Sequence, residues 1–192
     1  HCWSIGLDPI KEPIPVMPAA HYLCGGIRTD GQGHTAMEGL YAVGECAGSG
    51  LHGADRLASN SLLEGVVIPR HAASSVMISE WQRPIPEDVE VGRYAFTEPS
   101  STTLSAIGEL RDRMMDSVGI VREDAGLRRA WRHLAEISSH ADRAWAQGER
   151  SMELFTLRDL VPVARAICEQ ALAEPLNAGT HWKEDALVSA SS

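Results

Sequence analysis

The chain has 192 residues, 44% of them hydrophobic, with a formal net charge of −9 and a pI near 5.3. That length and apolar content support one or two domains with a packed core, and the acidic balance argues against nucleic-acid binding. No run approaches the 18 or so consecutive apolar residues a membrane span needs, and no secretory leader is legible.

The chain opens on His1 and continues Cys2-Trp3-Ser4-Ile5-Gly6-Leu7-Asp8-Pro9, which reads as mid-domain sequence and sets the expectation of a C-terminal fragment. From Pro18 to Glu64 it carries nine glycines. Glycine lets a backbone approach a ligand closely or adopt a left-handed conformation, so this density points to one wall of a site for a planar cofactor and a small anion. Gly31-x-Gly33-x-x-Ala36 and Gly48-x-Gly50-x-x-Gly53 match the dinucleotide fingerprint as strings. Neither has the context that motif needs, a preceding strand with a helix directly after it and an acid about 20 residues on. Both are read as turns.

Leu40-Tyr41-Ala42-Val43, between Gly39 and Gly44, fits a strand buried on both faces, although a buried helical turn has the same pattern. Glu45 follows at what would be the strand's carboxyl end, where ligands of open α/β sheets collect. A carboxylate there suits sugar hydroxyls. Ser61 and Glu64 have capping-box spacing before an apolar run, and Ser59 and Asn60 are also good caps, so a helix starts there to within a residue or two. Its free N–H groups and partial positive charge suit an anion or the electron-rich edge of a reduced cofactor. Arg56 lies just upstream, always charged and able to grip a carboxylate with two parallel hydrogen bonds. His21 lies on the approach to Gly25-Gly26. Each alone is ordinary; together, beside two glycine turns and a helix start, they suggest a carboxylate pocket.

Residues 82–100 hold Pro84, Pro86 and Pro99 among many charges and read as a linker. Three apolar stripes at helical spacing follow: Leu104, Ile107, Leu110, Met114, Val118, Val121; then Leu127, Trp131, Leu134, Ser138, Ala141, Trp145; then Leu157, Val161, Ala164, Cys168, Ala171. They suggest an antiparallel three-helix bundle over residues 101–182, with Gly119 ending the first helix and Trp131 and Trp145 in packing roles. Pro162 implies a kink, or a helix starting near Asp159 with Pro162 in its first turn. Residues 183–192 read as a loose tail. His133 and His140 are seven apart and fit an exposed helix face. Cys2, Cys24, Cys46 and Cys168 form no C-x-x-C pair and are expected as free thiols in a cytoplasmic protein. No metal spacing is present. The fold class expected is α+β.

Pro18-Ala19-Ala20-His21-Tyr22-Leu23-Cys24-Gly25-Gly26-Ile27 and His52-Gly53-Ala54-Asp55-Arg56-Leu57-Ala58-Ser59-Asn60-Ser61-Leu62-Leu63-Glu64 closely resemble the L-aspartate oxidase branch of the succinate dehydrogenase/fumarate reductase flavoprotein family. The resemblance covers roughly residues 8–80 and continues more weakly through the helical part. It implies that residues 1–81 are the C-terminal part of a Rossmann-like FAD-binding domain, and that the cofactor is FAD. It assigns His21 and Arg56 to the substrate carboxylates, Glu45 to the FAD sugar chain, and Ser61 and Leu62 to the flavin pyrimidine edge, with His52 and Asn60 near the same site. The catalytic proton-handling arginine would lie upstream, so no catalytic residue is expected in this chain. The implied reaction oxidises L-aspartate, a C4 dicarboxylate, to iminoaspartate with oxygen or fumarate as acceptor, and the product passes to quinolinate synthase for NAD biosynthesis. The missing N-terminal part of the same flavoprotein is the other implied partner. A fumarate reductase or succinate dehydrogenase fragment and a non-catalytic interaction module are the rival readings. Two positions depart from the family: Asp55 stands where Asn is usual, and Asn177-Ala178-Gly179-Thr180-His181 replaces a Ser-Arg-Gly-x-His motif and lacks its arginine.

Overall fold

The computed structural model describes residues 1–78 and 94–186. Their regular structure is helical apart from one small parallel sheet: β1 (Ile27–Arg28), β2 (Ala47–Gly48), α1 (Asn60–Ile78), α2 (Ser101–Val118), α3 (Asp124–Ala146) and α4 (Met152–Ala173). Residues 82–93 of the expected linker and 187–192 of the expected tail lie outside the described residues.

The two strands pair Ile27 with Ala47 and Arg28 with Gly48. The approach is so close that a Cβ on Gly26 would run into the Cys46 carbonyl, which is why glycine stands there. The strand expected over residues 40–43 does not form. Gly39 and Gly44 both take positive φ and bend the chain at each end of the run, and pairing shrinks to one antiparallel bridge between His34 and Tyr41. Of that run only Ala42 is buried. The Gly31–Ala36 string is a turn closed by Asp30, whose Oδ1 accepts from Gln32 N at 2.8 Å and His34 N at 3.0 Å. After the Gly48–Gly53 string, α1 begins only at Asn60.

α2, α3 and α4 pack pairwise around one apolar core. Leu127, Leu134, Leu154 and Leu157 are fully buried, each contributing roughly 1.5–3 kcal/mol relative to exposure. The stripe read for α4 is buried at all five positions, and Leu154 extends it. In α2 the buried face is Thr103, Ala106, Leu110 and Val118; Leu104 is half exposed and Val121 lies beyond the helix. The stripe is rotated by about one residue because Thr103 is held inward, its Oγ1 donating to Glu149 Oε2 at 3.1 Å. α4 starts at Met152 rather than near Asp159, because Ser151 Oγ caps Leu154 N at 3.1 Å, and Pro162 sits inside the helix. Trp131 and Trp145 flank the core; Trp131 Nε1 donates to Glu169 at 2.8 Å, and Trp145 packs edge-on against Phe155 under the Arg150 guanidinium. His133 is half-buried rather than on an open face, lying 3.2 Å from Glu109 and 3.4 Å from Glu136.

Beyond α4 the chain is folded, not loose, through residue 186. Asn177 clamps Lys183, with Nδ2 donating to its carbonyl at 3.0 Å and Oδ1 accepting from its N–H at 2.7 Å. Lys183 is only 3% exposed, and its Nζ pairs with Asp124 at 2.9 Å. This segment turns back to the N-terminal part: Thr180 N and Oγ1 both donate to the Ala54 carbonyl at 3.0 Å. Gly179, at φ 53°, lies so close that a Cβ would strike that carbonyl. Gly179→Val is therefore expected to lift the segment off Ala54 and to cost about 1–3 kcal/mol in stability. A lower Tm, with faster hydrogen exchange of the Thr180 amide, checks this.

Candidate cofactor and carboxylate site

Glu64 is the centre of the polar structure before α2. It sits in the second turn of α1 at 1% exposure. Tyr22 Oη donates to it at 2.9 Å, Ser49 Oγ at 2.6 Å and His52 Nε2 at 2.8 Å. The capping box expected from Ser61 and Glu64 is therefore not made, because a carboxylate aimed at three donors from two other segments cannot fold back onto its own helix start. Burial pushes the Glu64 carboxyl up, but the Ser49, His52 and Tyr22 hydrogen bonds outweigh that and hold it below the usual value. Burial, with Glu64 beside it, pushes the Tyr22 phenol up to about 12.

Tyr22 carries the network outward. Its ring meets the His52 imidazole edge-on at 5.3 Å, and the Arg56 guanidinium lies over it at 4.7 Å. Arg56 does not take Asp55 as its partner. Its Nη1 donates to the Leu57 carbonyl at 3.3 Å, and its Nε is buried without a hydrogen-bond partner. His21, adjacent to Tyr22 in sequence, is exposed. Tyr22 thus seats Arg56 and is the chain neighbour of His21, and it is a residue that sequence reasoning left unassigned. Its signal was its position directly after His21. Glu64 was seen only as half of a capping box.

The helix start lies next to this group. Ser59 takes φ 66°, a left-handed backbone for a residue with a Cβ, immediately before α1. Leu62 N donates to the Ser59 carbonyl at 3.0 Å and Asn60 N to the Leu57 carbonyl at 3.1 Å, while among the described residues no carbonyl takes the Ser61 N–H. Leu57 and Leu62 are 71% and 72% exposed. Of the expected cofactor donors, Ser61 is open and Leu62 is engaged at its N–H. Glu45 is exposed in a short 3-10 turn, where its Oε1 accepts from Leu23 N at 3.3 Å. Among the described residues no cluster of His, Cys, Asp or Glu has the geometry to hold a metal ion, the four cysteines are free, and no helix is long and apolar enough to cross a membrane.

Comparison with known proteins places this geometry. Residues 3–62 match the family described as FAD binding domain, and residues 107–188 match the family described as fumarate reductase flavoprotein C-term. Both matched segments are thus similar to flavoprotein domains, each over less than half of the chain. The chain is 41% identical over 187 residues to L-aspartate oxidase 1 of Ralstonia nicotianae, covering 96% of this chain and 35% of that protein. It is 40% identical to an L-aspartate oxidase of Rhodospirillum rubrum, covering 62% of that protein. The chain thus spans about a third of the length of most of these curated relatives. Among solved structures, a variant of the E. coli quinol fumarate reductase subunit FrdA superposes with a TM-score of 0.75 at 29% identity, over 98% of this chain and 35% of that one.

The residues present fit a flavin. The open Ser61 N–H at a helix start is a donor for an anionic ring edge, and the exposed Leu57 and Leu62 are apolar surface that a planar ring would cover. The Arg56 Nε is left without a partner and retains a free N–H donor.

The Tyr22 phenol titrates high only in the folded chain, so its contribution to stability is complete below pH 10 and is lost as pH rises from about 10 through about 12. A spectrophotometric titration at the phenolate band is expected to show a component with its midpoint near pH 12, absent in Tyr22→Phe. A wild-type titration without that late component would contradict the Glu64 contact.

Proposed function

We propose that this chain is the C-terminal part of an FAD-dependent L-aspartate oxidase that converts L-aspartate to iminoaspartate with oxygen or fumarate as acceptor. The observation that carries the proposal is Arg56: a guanidinium seated on Tyr22, with a buried Nε lacking a partner, four residues before a helix start with an open N–H. The identity of 35–41% to L-aspartate oxidases over nearly the whole chain supports this over the fumarate reductase reading, whose likeness lies at 29% identity or below.

In this reading FAD, when bound, supplies the two-electron acceptor. Arg56 and His21 hold substrate carboxylates and fix the orientation of Cα. Binding a dicarboxylate to a fixed cation and an imidazole makes the attraction specific in geometry as well as in charge. Ser61, with Asn60 and Leu62, presents the positive end of α1 to the cofactor, where preorganised donors stabilise the charge that two-electron reduction adds. Glu45 reaches the sugar chain of the cofactor. The proton-handling group lies in the part of the enzyme outside this chain. β1, β2 and α1 then belong to a Rossmann-like FAD-binding domain over residues 1–81, with a linker over 82–100 and an antiparallel bundle over 101–182. A cytoplasmic location and delivery of iminoaspartate to quinolinate synthase complete the proposal.

The test uses the full-length protein with L-aspartate and succinate as separate substrates. Aspartate-dependent peroxide formation, with little succinate turnover, is the expected result. Arg56→Ala is expected to lower kcat/KM for aspartate by about 100-fold or more. The isolated 192-residue chain is expected to give no turnover. Unchanged aspartate kinetics in the full-length Arg56→Ala variant would end the assignment.

A further inference from the structure

We propose that Glu64 is a positioning residue for substrate carboxylate binding, acting through Tyr22 on Arg56. The inference rests on the reading of Arg56 as a carboxylate ligand and goes beyond it by naming what sets that guanidinium in place.

Arg56 has few constraints of its own. Among the described residues, its guanidinium makes one hydrogen bond, to the neighbouring Leu57 carbonyl, and lies over the face of the Tyr22 ring. The ring therefore sets where the guanidinium lies, and Glu64 sets the ring. The Tyr22 hydroxyl is tied to Glu64 Oε2 at 2.9 Å, and the same oxygen receives His52 Nε2 at 2.8 Å. His52 also abuts the Tyr22 ring edge-on at 5.3 Å. Ser49 holds the other carboxylate oxygen at 2.6 Å, so the acceptor cannot rotate away. A phenol that donates to a carboxylate also gains electron density in its ring, and a richer ring face attracts a cation more strongly. Glu64 thus acts in two ways, fixing the plane of the ring and strengthening its hold on Arg56.

The experiment uses the full-length FAD-loaded enzyme and three variants, Glu64→Gln, Tyr22→Phe and the double variant, with Arg56→Ala as reference. Steady-state kinetics with L-aspartate are paired with the flavin absorbance change on adding succinate, which serves as a non-reacting carboxylate probe. Glu64→Gln is expected to raise KM and the succinate dissociation constant by about tenfold while kcat changes by less than about twofold. Tyr22→Phe keeps the ring but cuts the tie, and is expected to give a similar, smaller rise. The double variant is expected to match Glu64→Gln rather than the product of the two effects, because both cut one path. Multiplicative effects, or no change in KM and succinate binding in either single variant, would overturn the proposal. If Glu64→Gln does not fold, Tyr22→Phe decides alone by the same criterion. Should Arg56→Ala also leave aspartate kinetics unchanged, the functional reading itself falls; if Arg56→Ala is crippled and the Glu64 and Tyr22 variants are not, only this inference does.

Discussion

The polar architecture before α2 depends on how a buried carboxylate is satisfied. Among the described residues, Glu64 has no lysine or arginine as its direct partner, and three donors carried by two separate loops compensate it. Burying an ionised carboxylate costs several kcal/mol, and hydrogen bonds to a charged group return about 1.5–3 kcal/mol each. The carboxylate is therefore stable only when Tyr22, Ser49 and His52 all arrive. That condition brings the loop before β1, the loop after β2 and the start of α1 to one point, and Arg56 lies beside it.

The two parts of the chain are held by different physics. α2, α3 and α4 close over leucines and alanines and are organised by apolar burial. The region before them has little apolar core: Ala42, Ala47, Ile68 and Ala72 are buried, while Leu51, Leu57, Leu62, Leu63 and Val66 face outward. Directed hydrogen bonds and left-handed backbone positions at Cys24, Ser59 and several glycines give it shape instead.

How much of this was legible in the sequence follows the same division. The α4 stripe could be read to the residue, because Leu157, Val161, Ala164, Cys168 and Ala171 report one apolar face and nothing competes with packing there. The α2 stripe slipped by a residue because Thr103 is buried for its hydrogen bond to Glu149, which hydrophobic periodicity does not register. The run 40–43 looked like a strand because its side chains suit one, yet the positive-φ glycines on either side set the backbone. At the site, the glycines, Arg56, His21 and the helix start were visible as residue types. The part played by Glu64 was hidden, because a local capping pattern and a contact 42 residues away compete for the same side chain, and spacing shows only the local one.

The docking of Thr180 on the Ala54 carbonyl has a consequence for how the protein is made. These two residues are 126 positions apart, and Ala54 stands two residues before Arg56. A chain emerging from the ribosome presents its guanidinium loop long before the hydroxyl that pins it. The loop reaches its final form only after residue 180 has been made, so chains cut short before it carry Arg56 and still lack the tether beneath its loop.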